Sequence, residues 1–229
     1  MIDKEGFEVT TYRVDGEYED SRHPKEVTFT ANLIEDLKRR DFTINAMAYN
    51  DQAGLVDVFE GMLDIRKKRI RCVGNPRERF SEDALRLMRA VRFSAQLGYE
   101  IEEETAEAIR ELSPNLTHIS AERIQTELIK LIISPHPENL RIAYELGITG
   151  VVLPEFDACM KTQQRNLHHC YSVGEHIIKS MQEIRPDKVM RLAMLFHDIG
   201  KPQTISQDDS GIHHFYGHPS VSEKMTKEI

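Results

Sequence analysis

The chain has 229 residues, of which 40% are hydrophobic and 30% are charged, and its formal net charge is -8 at pH 7. This composition excludes a disordered or fibrous protein and predicts a globular chain of one large domain or two to three small ones. No apolar run approaches the roughly 18 residues of a membrane span, and the N-terminal segment lacks the features of a signal peptide. We therefore expect a cytoplasmic protein with no membrane partner.

Charge is distributed unevenly along the sequence. Between Met62 and Arg92 there are ten Lys or Arg residues and four acids, a local balance of +6. From Gly98 to Glu155 there are four basic residues and eleven acids, a balance of -7. Because polyphosphates bind where the local potential is positive, the basic segment is the candidate for phosphate chemistry. A solvated charged face is the ordinary alternative for any such run.

Cysteine usage favours a reducing compartment. Cys72, Cys159 and Cys170 are odd in number, and no two of them have the CxxC spacing of a metal or redox site. The pattern argues against a disulfide framework and against a cysteine-bound zinc ion. We expect three reduced thiols.

The first predicted elements are short strands. The segments FEVTTYRV (7–14) and EVTFT (26–30) are rich in β-branched and aromatic residues, and the turn-prone DGEYEDSRHP separates them. LVDVF (55–59) is a third candidate strand. Three strands are fewer than a stable mixed layer usually contains, so we expect the sequence to begin within a domain.

Helical periodicity dominates from Met62 onward, and prolines divide this part of the chain into short helices. The dividing prolines are Pro76, Pro114, Pro135, Pro137, Pro154 and Pro186. A few strands followed by many helices predict an α+β fold that is mostly α.

The stretch LKRRDFTINAMAYN, residues 37–50, places charged residues against an apolar series. Arg39, Arg40 and Asp41 directly precede Phe42, the first of the apolar residues. A chain that only needs to fold rarely brings three charges so close to its core. The arrangement indicates that these side chains bind a ligand.

The segment RFSEDALRLMRAVRFSAQLGY, residues 79–99, predicts one helix with a row of arginines. Ser81 is the expected N-cap, and Glu82 and Asp83 fall in the first turn, where the helix dipole favours acids. Three arginines share one face at i, i+3 spacing, opposite the apolar stripe. They are Arg86, Arg89 and Arg92.

This row of arginines favours an anionic ligand over a solvated face, although the solvated face is the more common case on a generic charged helix. Only Glu82 and Asp83 are acids close to the row on the same helix, so the arginines repel one another unless an anion lies across them. Guanidinium groups suit phosphate. Asp83 with Arg86 also places an acceptor beside a donor fork, which fits the edge of a nucleobase.

Three segments in order resemble a known family. EDLKRRDFTINAMAYN is followed by LVDVFEGMLDIRKKRIRCVGNPRERFSEDALRLMRAVRF and then by SAERIQTELIKLI. They resemble the bacterial tRNA nucleotidyltransferase and poly(A) polymerase family, specifically the class II CCA-adding enzymes. The resemblance covers the chain from about Phe7 to Glu155, and its motifs are long.

The resemblance implies a role for each motif. The first contributes to the pocket for the ribose and triphosphate of a nucleotide, and here it corresponds to Arg39, Arg40, Asp41 and Asn45. The EDALR motif is the family's protein template, which selects CTP or ATP without a nucleic-acid template. Its implied residues are Asp83 and Arg86 for the base, with Arg89 and Arg92 supporting base and phosphates. AERIQTEL matches the motif that braces the template helix, so Glu122 and Arg123 are expected to be structural.

The family's chemistry resembles two-metal phosphoryl transfer, in which paired carboxylates hold Mg²⁺ while an RNA 3′ hydroxyl attacks the α-phosphate. Those carboxylates belong to a DxD motif after a glycine-rich GG…VRD loop, and this sequence contains neither. The nearest acidic pair, Glu17 and Glu19, lies in a predicted turn. We therefore expect no catalytic carboxylate in this chain. It would be a fragment, a degenerate copy, or a partner to a missing N-terminal half or second chain.

Most of the ten histidines lie between His168 and His218. A single histidine on an apolar helix is usually a satisfied core residue. His197 and Asp198, however, are adjacent between an apolar AMLF and a GKP break, so an imidazole and a carboxylate meet at a buried helix end. That combination suits a divalent transition metal.

The histidine-rich segment resembles an HD-superfamily phosphohydrolase domain, which often follows the polymerase in bacterial CCA-adding enzymes. The resemblance implies Mn²⁺, Ni²⁺ or Co²⁺ bound by His176, His197, Asp198 and His218. His213 or His214 is a further candidate ligand, and Lys201 would lie near the scissile phosphate. The family's last metal-binding aspartate is expected beyond Ile229, so the domain is expected to be truncated. A helical fold without activity is the alternative.

Together these patterns predict three regions. They are part of a mixed-sheet nucleotidyltransferase head (1–61), a helical neck and RNA-binding region (62–155) and a truncated all-α HD domain (156–229). The predicted function is template-independent addition of C, C and A to tRNA 3′ ends, with tRNA, CTP and ATP as partners. Two alternatives stay open: an HD-type metal-dependent phosphohydrolase or phosphodiesterase, and a non-catalytic nucleotide- or RNA-binding remnant.

Overall fold

The structure is a computed structural model that describes residues 6, 9–16, 25–164 and 171–229. Within these residues helices predominate and the strands form only two-stranded sheets, so the expected mostly helical α+β class is confirmed. Glu17, Glu19, His168 and Cys170 lie outside the described residues. No helix in the described part is long and apolar enough to span a bilayer.

The N-terminal elements are two short hairpins with a helix between them. Their bounds are β1 (Arg13–Asp15), β2 (Val27–Phe29), α1 (Leu33–Lys38), β3 (Ala48–Asn50) and β4 (Gly54–Val56). Both hairpins are antiparallel, and β3 was not predicted as a strand. Asn32 caps α1 because its side chain accepts a hydrogen bond from the N–H of Ile34. A 3-10 turn at Thr43–Asn45 connects α1 to β3.

The middle of the chain forms a helical layer with one short parallel pair of strands. Its elements are α2 (Gly61–Arg66), β5 (Arg69–Ile70), α3 (Pro76–Glu82), α4 (Leu85–Leu97), β6 (Glu100–Ile101), α5 (Glu103–Leu112) and α6 (Ala121–Ile132). Helix α4 packs against α6, and β5 pairs in parallel with β6. The sequence did not predict this pair, because two-residue strands are too short for an alternating pattern.

The C-terminal part is a packed group of short helices with one small hairpin. Its elements are α7 (Leu140–Glu145), α8 (Thr149–Val152), α9 (Pro154–Lys161), α10 (Val173–Glu183), α11 (Lys188–Phe196), α12 (Lys201–Thr204), β7 (Ser206–Gln207), β8 (His213–His214) and α13 (His218–Glu228). Helix α10 packs against both α9 and α11. Gly200 lies against α13, and its N–H donates to Ser222 Oγ at 3.0 Å.

A continuous apolar core runs from the Thr43 turn to α11 and includes the fully buried Phe42, Phe80 and Phe156. Two cysteines belong to it, one at each end. Burial raises the pKa of the Cys72 and Cys159 thiols to about 12. Both cysteines are free and buried.

The single helix predicted over residues 79–99 is wrong. Helix α3 ends at Glu82 and α4 begins at Leu85. Ser81 is not an N-cap, because its hydroxyl lies within α3 and donates to the carbonyl of Arg77 at 2.8 Å. Asp83 has an extended backbone and its Oδ1 accepts from the N–H of Leu85 at 3.1 Å, so it precedes the second helix. A short acidic side chain competes with the helical backbone in this way.

Candidate functional site

An open cavity of about 450 Å³ lies between the Thr43 turn and the start of α4. Its lining consists of Arg39, Arg40, Asp41, Asn45, Asp83, Leu85, Arg86, Arg89 and Arg123. Seven of the eight residues that were expected to bind a nucleotide line this cavity, and Arg92 does not. Five arginines against two aspartates leave the lining with a net charge of +3. Such a surface suits a polyanion.

The loop that carries Asp41 and Asn45 is fixed from beneath by a carboxylate that the sequence analysis did not single out. Asp64 has no exposed surface. It accepts hydrogen bonds from Thr43 Oγ1 at 2.7 Å, from Arg69 Nε at 2.8 Å and from Arg71 Nε at 2.8 Å. Burial alone would raise the pKa of the Asp64 carboxyl, but these three donors lower it.

Two arginines of α4 form hydrogen bonds across the cavity to the segment that contains Arg39 and Asp41. Arg89 Nε donates to Asp41 Oδ2 at 2.7 Å. Arg86 donates to Glu82 at 2.8 Å and to the carbonyl of Arg39 at 3.0 Å. Asp41 therefore adds to the row an acid from another element, which the spacing of acids along the helix could not predict.

Arg92 departs from its expected role beside the base and phosphates. It is only 8% exposed, it pairs with Glu127 of α6, and its guanidinium lies 3.9 Å from the centre of the Phe93 ring. The Glu127 pair links α4 to α6, and the Phe93 contact holds the guanidinium within α4. The sequence placed Arg92 on the open face because helical periodicity does not reveal that a second helix covers that part of the face.

The AERIQTEL segment contacts the template residues through Arg123, as expected, and through Glu127 in place of the expected Glu122. Arg123 Nη2 donates to Asp83 Oδ2 at 3.0 Å, and Glu127 pairs with Arg92. Glu122 is exposed, so its side chain does not take the structural role expected of it. Arg123 also lines the cavity, and it therefore belongs to the candidate site as well as to its support.

Three of the predicted metal ligands lie together at a second site, where α10 meets the end of α11. His176 Nε2 and His197 Nε2 are 3.2 Å apart, and Asp198 Oδ2 lies 3.4 Å and 3.2 Å from them. Within the described ranges this is the group of three or more donors that lie within 4.8 Å of one another. His197 Nδ1 contacts the carbonyl of Met194 at 2.8 Å, which directs Nε2 into the group.

The other expected ligands lie at different distances from this group. His218 Nε2 is 3.3 Å from Asp198 Oδ1, the carboxylate oxygen that faces away from the histidine pair. His213 Nδ1 contacts the carbonyl of Gln163, and His214 Nε2 contacts Asp208 at 2.8 Å. The structure brings His218 to the group and engages His213 and His214 elsewhere.

A buried lysine completes the surroundings of Asp198. Lys201 Nζ lies 2.7 Å from Asp198 Oδ2 and 2.9 Å from Gln164 Oε1. Burial would raise the pKa of Asp198, but hydrogen bonds from His197 and Lys201 hold it well below its usual range. Two imidazoles and an ionised carboxylate fit a divalent transition metal, with Lys201 sharing one carboxylate oxygen.

Comparisons with known proteins match separate parts of the chain. Residues 1–71 match a family model described as Poly A polymerase head domain. Residues 98–160 match one described as probable RNA and SrmB-binding site of polymerase A. A CCA-adding enzyme of Oceanobacillus iheyensis is 54% identical over 132 residues, 58% of this chain and 33% of that protein. The CCA-adding enzyme of Streptococcus pyogenes serotype M5 is 43% identical over 166 residues, 71% and 40% of the two chains.

Solved structures extend the likeness to nearly the whole chain. The Bacillus stearothermophilus CCA-adding enzyme in complex with CTP has a TM-score of 0.64 and 31% identity. The similarity covers 96% of this chain and 48% of that one. The chain therefore spans about a third to a half of the length of the relatives that it matches.

Proposed function

Because this chain belongs to the tRNA nucleotidyltransferase and poly(A) polymerase family, we propose that its arginine-lined cavity binds the nucleoside triphosphate used in CCA addition. One observation carries the proposal: residues from two distant motifs, Arg39 to Asn45 and Asp83 to Arg89, line one cationic cavity. The whole enzyme would add C, C and A to tRNA 3′ ends from CTP and ATP without a nucleic-acid template.

Asp83 and Arg86 are the proposed base-reading pair. Cytosine and adenine both present an amino donor beside a ring nitrogen that accepts, whereas uracil and guanine present a carbonyl where the amino group stands. A carboxylate acceptor next to a guanidinium donor therefore fits CTP and ATP and rejects UTP and GTP. In the unliganded chain these groups are held by Arg123 and Glu82, and a bound base would replace those contacts.

Arg39, Arg40 and Arg89 are the proposed partners of the ribose and phosphates, and Asn45 supports the loop between Arg40 and the Thr43 turn through its hydrogen bond to Asp41. The transfer step in this family uses a divalent metal such as Mg²⁺, which supplies charge stabilisation at the α-phosphate. Asp41 and Asp83 are each paired with an arginine, so among the described residues the cavity offers no free carboxylate pair for it.

The predicted division into head (1–61), neck and RNA-binding region (62–155) and HD domain (156–229) is retained as part of this proposal. The match of residues 98–160 to a polymerase RNA-binding model supports tRNA as the partner of the middle region. Filter binding of this chain to tRNA with and without its CCA end would test that assignment. Equal retention of an unrelated RNA of the same length would argue against it.

Calorimetry of this chain with CTP, ATP, GTP and UTP tests the nucleotide pocket. We expect CTP and ATP to bind more tightly than GTP and UTP. Asp83→Ala should remove that preference, whereas Arg40→Ala should weaken all four nucleotides to a similar degree. Asp51→Ala, an exposed aspartate on the β3–β4 turn, is the matched control. If Asp83→Ala still preferred CTP and ATP, Asp83 would not be the base-reading residue. If the unmodified chain bound none of the four nucleotides, the proposed pocket would be wrong.

A second candidate function rests on the histidine group. We propose that His176, His197 and Asp198 hold Mn²⁺, Ni²⁺ or Co²⁺, with His218 beside them, in an HD-type phosphohydrolase or phosphodiesterase. The metal would supply an acidified water and charge stabilisation at a phosphate. Lys201, paired with Asp198, would offset negative charge near that phosphate.

Metal binding and hydrolysis of a 2′,3′-cyclic nucleotide test this second function together. Both should be lost in His197→Ala and kept in His118→Ala, since His118 lies on the 3-10 turn after α5, in a different part of the chain. Metal binding without hydrolysis would favour an HD-type fold without activity. Nucleotide binding without transfer or hydrolysis would favour the non-catalytic remnant.

A further inference from the structure

Two adjacent arginines of the cavity share one buried acid. Asp36 is 2% exposed, and it lies in α1, three and four residues before Arg39 and Arg40. Its Oδ1 accepts from Arg39 Nε at 3.0 Å and from Arg39 Nη2 at 2.6 Å. Its Oδ2 accepts from Arg40 Nη2 at 3.4 Å. One carboxylate thus holds both guanidinium groups.

Helical spacing explains the contact. Residues three and four positions apart lie over the same face of a helix, so the two arginines at the end of α1 meet the acid of its first turn. The side chains are graded in exposure, at 3% for Asp36, 21% for Arg39 and 40% for Arg40. The carboxylate therefore lies inside and the guanidinium groups lie outside, where both line the cavity.

Asp36 is itself anchored to a second element. Its Oδ1 also accepts from the backbone N–H of Arg13 in β1 at 3.2 Å. Burial would raise the pKa of Asp36, but hydrogen bonds from Arg39 and the Arg13 N–H, with the charges of Arg39 and Arg40, lower it. The ionised carboxylate leaves the trio with a net charge of +1, which reduces the repulsion between neighbouring arginines.

We propose that Asp36 is a positioning residue that orients Arg39 and Arg40 toward the phosphates of a bound nucleoside triphosphate. The proposal rests on the proposed nucleotide pocket and deepens it. Asp36 does not line the cavity, so it acts through the two arginines and not by touching the ligand. Without its charge, the guanidinium groups would lose their shared acceptor and sample other orientations.

A positioning role makes a prediction that a purely structural role does not. If Asp36 acts through phosphate-binding arginines, its removal should weaken a ligand in proportion to the number of phosphates that the ligand carries. A general loss of structure would weaken all ligands alike. The informative series is therefore CTP, CDP, CMP and cytidine, which share one base and ribose.

The experiment is calorimetric titration of the full chain and Asp36→Asn with these four ligands. Asp36→Asn should weaken CTP by about tenfold and cytidine by less than about twofold, as expected for the loss of a charge-assisted contact. Glu35→Gln is the matched control. It removes the same charge from the neighbouring residue of α1, which pairs with Lys38 at 2.7 Å, and should change no affinity.

Two further measurements separate the outcomes. In an Arg39→Ala, Arg40→Ala background, Asp36→Asn should have no added effect on CTP, because the groups it acts through are absent. If Asp36→Asn does not fold, Asp36→Glu keeps the charge but displaces it, and it should weaken CTP while sparing cytidine. Equal losses for CTP and cytidine, or an undiminished effect in the double-alanine background, would overturn the positioning role alone. A wild-type chain that binds no nucleotide would overturn both the pocket and this inference.

Discussion

The two candidate sites of this chain are built in opposite ways. The cationic cavity draws its lining from the segment between α1 and the Thr43 turn, from that turn, from α4 with the preceding Asp83, and from α6. Most of its charges already have a partner of opposite sign. The histidine group draws three donors from two helix ends, and they face one another at 3.2–3.4 Å. A ligand of the first site exchanges existing contacts, whereas a cation at the second would add contacts to donors that already converge.

This difference predicts which substitutions should weaken each site most. Five arginines line the cavity, so the loss of one leaves the local potential positive. Its weak point lies beneath the surface, in the carboxylates that fix the loop and the arginines. The histidine group has few donors, so the loss of one removes a third of the set.

Asp64→Asn should destabilise the chain by about 3 kcal/mol in urea-induced unfolding, because it leaves Arg69 and Arg71 without their buried carboxylate. The Thr43 hydroxyl loses its ionised partner as well. Glu60→Gln is the control, since Glu60 is 69% exposed and lies 3.6 Å from Arg71. A loss below about 1 kcal/mol would show that the cavity loop does not depend on this anchor.

The same variant should alter the pH dependence of stability. The folded-state pKa of Asp64 lies below its ordinary value of 3.8, so the unfolded chain binds this proton more readily. Its stabilisation is complete above about pH 3.8 and is lost as the pH falls through the folded-state value. The difference in unfolding free energy between wild type and Asp64→Asn should therefore shrink in acid, and a constant difference would contradict this.

Asp198→Ala should lower the affinity for Ni²⁺ or Mn²⁺ by at least about a hundredfold, measured by calorimetry after chelator treatment. Removal of the shared carboxylate also frees Lys201, which adds a repulsive charge beside any cation. Asp208→Ala is the control, because that exposed aspartate pairs with His214 outside the group. If Asp198→Ala and Asp208→Ala bound the metal with similar affinity, the metal would not bind at the histidine group.

Arg89→Ala should weaken CTP and ATP by about tenfold each, because it removes one cation from the cavity wall and releases Asp41. Arg110→Ala is the control, since Arg110 is half-exposed and pairs with Glu103 away from the cavity. If Arg89→Ala weakened CTP and ATP by about a hundredfold or more, the binding energy would not be distributed over several arginines.

Arg141→Ala should cost only about 0.5 kcal/mol of unfolding free energy and should leave both sites intact. Arg141 and Glu175 join α7 to α10, but both side chains are partly exposed, so solvent screens the pair. A double-mutant cycle with Glu175→Gln would measure the pair itself. A coupling energy above about 2 kcal/mol would contradict this expectation, because it would mean that the Arg141–Glu175 pair is a major stabilising contact between α7 and α10.

The sequence correctly predicted which motifs lie close together, but it did not predict the helix boundaries and side-chain pairs through which they make contact. Asp83, Arg86 and Arg89 reach the cavity because a motif carries its residues in a fixed order, whatever the exact helix boundary. The break between α3 and α4 was missed, because the competition of Asp83 for the Leu85 N–H depends on conformation and not on periodicity. His197 and Asp198 were found because they are adjacent, and His176 was placed by resemblance to the HD domain.

The partners of these residues were the part that could not be predicted. Glu127 is an ordinary acid in an amphipathic segment, and nothing in its position identifies Arg92 of α4, the distant arginine that it binds. Asp64 lies 21 residues from Thr43 in sequence, and Arg89 lies 48 residues from Asp41. Such pairs follow from how the helices pack, so a single sequence identifies the charges but not the pairs.

The two buried thiols give each site its own reporter. Cys72 lies in the segment bridged to Phe42, next to the cavity loop, and Cys159 Sγ approaches the backbone of Asp198 and Ile199. With pKa values near 12, neither thiol reacts at neutral pH until its surroundings open. With Cys170 replaced by serine, alkylation rates at Cys72 and Cys159 would time local opening at each site separately. A nucleotide should slow only the first reaction, and a metal only the second.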